Sequence, residues 1–131
     1  MKILTLELST ARGSLAWLDN DDLELAREWP NDRKNSAALF ENLDAVTKKF
    51  GAPETIIVGL GPGSYAGTRI AISAAIGLGL SSGARLIGFP SICTMECDAN
   101  EYCVIGDARR RSFFFRLHPR ARTARRPNAS L

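Results

Sequence analysis

The sequence predicts an α/β fold, a mixed five-stranded sheet with flanking helices, followed by the first hairpin of a second lobe. Three observations predict it. Short apolar runs with strand spacing open the chain and are joined by polar turns. Further on, helix-length stretches alternate with short β-branched runs, the pattern of parallel strands covered by helices. Between them, residues 55–80 read as a strand, a glycine turn and a helix start in unbroken succession.

The elements follow in order. Residues 2–8 form a first strand, with Ile3, Leu4, Leu6 and Leu8 apolar around Thr5 and Glu7. Ser14 to Leu18 form a second, and Asp19-Asn20-Asp21-Asp22 supplies a polar hairpin turn. Leu23 to Trp29 alternates apolar and charged residues, which suits a third, edge strand of an antiparallel meander. A helix then starts near Asn35 or Ser36, either of which can cap it. Leu39, Leu43, Val46 and Phe50 fall at i, i+4, i+7 and i+11 on one face, and Phe40 lies off that stripe. Lys48 and Lys49 suit the negative end of the helix dipole, Gly51 ends the helix, and Pro53 enforces the stop.

Ile56, Ile57, Val58 and Leu60 make the buried strand, and Gly61-Pro62-Gly63 turns the chain. Ser64 is placed to cap a helix over 65–81. That helix is rich in small residues, and glycine costs about 1 kcal/mol against alanine in a helix interior. Gly67, Gly77 and Gly79 therefore want a packing reason. Either a partner backbone approaches closely, or the helix packs on its own sheet. Arg85 to Phe89 gives another strand, and Pro90-Ser91 introduces a short helix to about Asp98. Tyr102 to Gly106 and Ser112 to Leu117 make a hairpin. The expected organisation is a lobe over 1–100, a hairpin over 101–118 and a disordered arginine-rich tail over 119–131.

The glycine turn resembles a phosphate loop but fails both familiar tests. A Walker A loop needs lysine before its final Ser/Thr, and no lysine follows Lys49. The dinucleotide pattern needs glycine at 66, where Ala66 stands. Composition narrows the rest. The N-terminus meets Glu7 too early for a signal peptide, and no apolar run of membrane-spanning length occurs. Cys93, Cys97 and Cys103 with the single His118 form no matched metal set, so reduced cysteines and a cytoplasmic location are expected. Cys93 and Cys97, at i, i+4, read as core thiols. The net charge of +3 conceals an asymmetry: residues 1–106 hold 9 basic and 13 acidic side chains, whereas 107–131 hold 8 arginines and Asp107.

Three strands, then alternating helix and strand, define the ribonuclease H-like lobe of the actin, sugar kinase and Hsp70 superfamily. Within it a family resemblance is legible. Ile3-Leu4-Thr5-Leu6-Glu7-Leu8-Ser9-Thr10 resembles a family first strand, Ile-Leu-Ala-Ile-Asp-Thr-Ser-Thr. Gly59-Leu60-Gly61-Pro62-Gly63-Ser64-Tyr65-Ala66-Gly67-Thr68-Arg69 is similar to its signature Gly-x-Gly-Pro-Gly-Ser-Phe-Thr-Gly-Leu-Arg. Gly106-Asp107-Ala108-Arg109-Arg110 resembles the Ile-Asp-Ala-Arg-Arg that opens its second lobe. The family is TsaB, also called YeaZ and often labelled glycoprotease-like.

The resemblance implies a non-catalytic subunit of tRNA threonylcarbamoyladenosine synthesis. It dimerises with a TsaD-like catalytic subunit, works with a TsaE-like ATPase, reaches tRNA indirectly, and forms homodimers when alone. ATP and metal belong to the partner subunits, so no cofactor is expected on this chain. The implied interface uses the two helices, here Leu39, Phe40, Leu43, Ser64, Tyr65, Ala66, Gly67, Arg69, Ile70, Ala74 and Gly77. A large residue at Gly67 or Ala74 should abolish partner binding and leave the monomer folded. Arg69 either pairs across that interface or caps the local fold.

The departures are Glu7 for aspartate, Leu8 for threonine, Asn35 where His-Ser is common, and the length. Relatives continue through a full second lobe, so the chain is expected to be truncated or to change frame near His118. Glu7 reads as a solvent-facing strand residue. Its alternative, a phosphate or magnesium carboxylate, lacks a second acid in a corresponding motif. The arginine tail reads as solvated, with attraction to tRNA phosphates as the alternative. Two further functions stand beside the interaction subunit: an ATP-binding enzyme of the same superfamily, and a metallopeptidase, for which His-x-x-x-His is absent. The hairpin, with Phe113 to Phe115 and open strand edges, suggests dimerisation or swapping.

Overall fold

The computed structural model describes residues 1–31, 36–94, 98–109 and 112–119. The chain divides into two compact units, Met1–Ile92 and Cys93–Leu131. In the first, β1 (Lys2–Glu7), β2 (Arg12–Asp19) and β3 (Asp22–Pro30) form the antiparallel meander. Asn20 and Asp21 both take positive φ, 48° and 70°, the conformation of a tight hairpin turn whose twist matches that of the strands. Then come α1 (Ala37–Phe50), β4 (Thr55–Gly59), α2 (Tyr65–Ser82) and β5 (Arg85–Phe89). The sheet order is β3-β2-β1-β4-β5, with β4 parallel to both β1 and β5. This is the expected mixed five-stranded sheet.

The register explains the core. Leu25, Trp17, Leu4, Ile56 and Leu86 align in one row across all five strands. Arg27, Leu15, Leu6, Val58 and Gly88 form the next row on the same face. The central members of both rows are buried together with Leu39, Leu43 and Val46 of α1 and Ala71 and Ala75 of α2. The sheet thus buries one face beneath both helices, and the 3.6-residue stripe of α1 is the face that meets it. Phe50 stacks on Trp17 at 5.2 Å between ring centroids and 11° between planes, pinning the end of α1. Gly51 closes that helix at φ +85°, its N–H donating to the Thr47 carbonyl over 2.9 Å. The edge position of β3 also holds, since only Trp29 of its nine residues is buried.

Three expectations are corrected. Ser36 stands at the N-cap of α1, but its side chain makes no capping hydrogen bond, and Asn35 lies outside the described residues. Of the helix expected from Pro90-Ser91 to about Asp98, the described residues show a 3₁₀ turn at Ser91–Thr94 and bends at 98–100, and 95–97 lie outside the described residues. A helix of only about two turns gains little to offset its nucleation, and Asp98 and Asn100 favour turns. Glu7 is half-buried rather than solvent-facing, for a reason given below.

In the second unit, β6 (Glu101–Arg109) pairs antiparallel with β7 (Ser112–Pro119), the expected hairpin. Cys93 is half-buried and Cys103 exposed, and neither is in a disulfide. Cys97 and the tail over 120–131 lie outside the described residues.

Candidate partner interface and the turn that places it

The turn after β4 is fixed from two sides. Leu60 N–H donates to the Phe89 carbonyl over 2.9 Å, and Gly61 N–H donates to Ser91 Oγ over 2.9 Å. Ser91 N–H returns to the Gly61 carbonyl over 2.8 Å. On the other side, Ser64 N–H donates to the Ser9 carbonyl over 2.6 Å, tying the start of α2 to the end of β1. Gly61 takes φ +83°, a left-handed conformation that glycine adopts without strain, and the Gly61–Pro62 peptide is cis. Ser64 then caps α2 as expected, its hydroxyl accepting from Gly67 N–H over 3.2 Å.

Glu7 belongs to the same corner. Its Oε1 accepts from Ser9 N–H over 2.6 Å. Its carboxylate lies so close to the Cα of Gly59 that any side chain there would collide with it. The carboxylate is thereby folded onto the backbone. Among the described residues, no group of three or more His, Cys, Asp and Glu is placed to hold a metal ion. The corner can order the chain, but it brings together no acid–base pair.

The small residues of helix α2 fall into two sets, one buried and one open. Gly67, Ala71, Ala75 and Gly79, spaced by four, are the buried stripe. A Cβ on Gly67 would collide with the Leu8 carbonyl oxygen and come within 3.1 Å of Asn31 Nδ2. One on Gly79 would come within 2.9 Å of Leu86 Cδ2. These glycines let the helix seat on its own sheet. Gly77 is different, with nothing among the described residues within 4 Å of the position its Cβ would take. It lies with Ser73 and Ser81, again spaced by four, along an open groove between α1 and α2. Phe40, Leu43, Asp44 and Thr47 form the opposite wall, Ala74 and Leu78 complete the α2 side, and the groove holds about 490 Å³.

Elsewhere on α2, three large apolar side chains are exposed. Tyr65 is 75% exposed, Ile76 46% and Leu80 83%. Arg69 places its guanidinium 5.2 Å from the Tyr65 ring centroid, a local cation–π contact between exposed side chains. Phe40 on α1 is 51% exposed at the rim of the groove.

The expected interface set therefore divides. Phe40, Tyr65, Ala66, Arg69 and Gly77 are exposed, and Ile70 and Ala74 are half-buried. Leu39 is buried in the chain's own core, and Leu43 shows only the edge that floors the groove. Ser64 is occupied as a cap. Gly67 serves internal packing, so the expectation that Gly67→Leu would leave the monomer folded is withdrawn. Ile76 and Leu80 were not singled out from the sequence, and Ser73 and Ser81 figured there only among the small residues of the helix. The four-residue spacing of Ser73, Gly77 and Ser81 was the available signal.

No helix among the described residues is long and apolar enough to cross a membrane. No family model matches the sequence, and no curated protein matches it. Solved structures do match. A protein of Pseudomonas aeruginosa described as similar to the peptidase YeaZ superposes with a TM-score of 0.79. It is 22% identical over 92% of this chain and 60% of its own. YeaZ from Pseudomonas aeruginosa matches equally, at 0.79 and 22% identity over 92% of this chain and 61% of its own. RuvC of Thermus thermophilus matches with a TM-score of 0.53 and 11% identity over 71% of this chain and 66% of its own. The fold is thus ribonuclease H-like and YeaZ-like, and the chain spans about 60% of the length of the YeaZ structures it matches.

Proposed function

We propose that the chain is a TsaB (YeaZ)-type interaction subunit, working by contact with a TsaD-like catalytic protein in threonylcarbamoyl transfer to tRNA. The observation that carries this reading is the division of α2. One stripe of small residues seats the helix on its sheet, and a second, around Gly77, lies open in a groove shared with α1. Tyr65, Ile76 and Leu80 stand exposed on that helix, and among the described residues only the stripe of Gly67, Ala71, Ala75 and Gly79 is buried. An exposed apolar surface of this kind marks a site of association. The motif likeness in the first strand and the glycine turn supplies the identity of the partner, and a TsaE-like ATPase joins through the complex. In the absence of the catalytic subunit, the same groove would take a second copy of this chain.

The competing readings have less to stand on. A nucleotide enzyme built on Glu7 needs that carboxylate open to a ligand, yet it is folded onto Gly59 and Ser9. A metallopeptidase needs a ligand cluster, and the described residues offer none.

Co-purification tests the proposal. Gly77→Leu and Phe40→Asp each fill or charge the groove without touching the buried stripe. Each should reduce capture of a TsaD-like partner at least tenfold, about 1.4 kcal/mol, with an unchanged circular dichroism spectrum. Undiminished capture by both variants would overturn the interface. Calorimetric binding of ATP to the isolated chain at sub-millimolar concentration would favour the enzyme instead.

A further inference from the structure

We draw no further inference here: the strongest candidate, the N-terminal end of α2 beside the Ser9 hydroxyl, which is buried without a hydrogen-bond partner, carries nothing because that hydroxyl is sealed from solvent and nothing in the structure shows a ligand reaching it.

Discussion

Two glycines in one helix should respond to the same substitution with opposite signs. At Gly67, alanine would put a methyl group against the Leu8 carbonyl, 3.2 Å from its carbon and closer still to its oxygen. That oxygen cannot easily retreat, because it accepts from Asn31 Nδ2 over 2.9 Å at the end of β1. Overpacking of this kind costs about 1–3 kcal/mol, and the contact is with backbone, which argues for the upper half of the range. Replacing glycine by alanine in a helix returns about 1 kcal/mol. Gly67→Ala should therefore lose about 1–2 kcal/mol. At Gly77 the same methyl group meets nothing within 4 Å among the described residues, so only the helix term remains and the variant should gain up to about 1 kcal/mol. Urea denaturation of both variants, at a concentration low enough to exclude self-association, measures the difference directly. Thermal midpoints should separate by roughly 4 °C or more for each kcal/mol in a unit of this size. A Gly67→Ala protein as stable as its parent, or a destabilised Gly77→Ala, would refute the division of α2 into an inner and an outer stripe.

Further outcomes follow from single contacts. Ser64→Ala removes the α2 cap and should cost about 1 kcal/mol in denaturant midpoint analysis; no loss would mean that the Ser9 tie alone holds the helix start. Leu39→Ala, from the core under α1, should cost about 2–5 kcal/mol, whereas Phe40→Ala next to it should fall within about 1 kcal/mol, so equal losses would contradict the orientation of α1. Asn31→Ala leaves the Leu8 and Thr10 carbonyls without its two hydrogen bonds and should cost about 1–3 kcal/mol, seen as faster exchange of amides near the β1 terminus. Glu28→Gln breaks the exposed pair with Arg12, 3.1 Å long, and should change stability by less than about 1 kcal/mol.

What the sequence revealed depended on how one-sided each element is. Helix α1 carries one apolar stripe, so Leu39, Leu43, Val46 and Phe50 could be placed on one face and Phe40 off it. The stripe alone did not say what it meets, and the expected interface took Leu39 and Leu43 outward where the core holds them. Strand β3 alternates charge with apolar residues, and its edge position follows from that. The strand-turn-helix at 55–80 was legible because β-branched residues, glycines and a cap occur in the required order. Helix α2 was not legible in the same way. Its apolar residues surround it, so periodicity could not tell whether Gly67 or Gly77 faces the sheet. That choice is made by β1, whose Leu8 carbonyl arrives under Gly67. Glu7 was misplaced for a related reason, since its burial depends on Gly59 of a different strand. The segment after Pro90 starts as a 3₁₀ turn rather than an α-helix, in a stretch so short that local preferences decide and the margin is small.

Magnitudes also limit what the exposed face of α2 can do by itself. Full burial of one large apolar side chain is worth about 1.5–3 kcal/mol. Tyr65, Ile76 and Leu80 are already 17–54% buried, given their exposures of 46–83%. What remains to be gained from all three is on the order of 3–6 kcal/mol. Association first costs about 4–15 kcal/mol in lost translational and rotational freedom. Those three side chains would therefore do little more than break even. A stable pair needs roughly 800 Å² from each partner, more than one helix face presents. The groove must contribute, and with it both helices. Gly77 then matters for a reason that area does not capture: where no Cβ stands, a partner backbone can come close enough for dense packing along the whole groove. An interface confined to either helix should be weak, whereas one centred on the groove between them has the surface and the shape to hold.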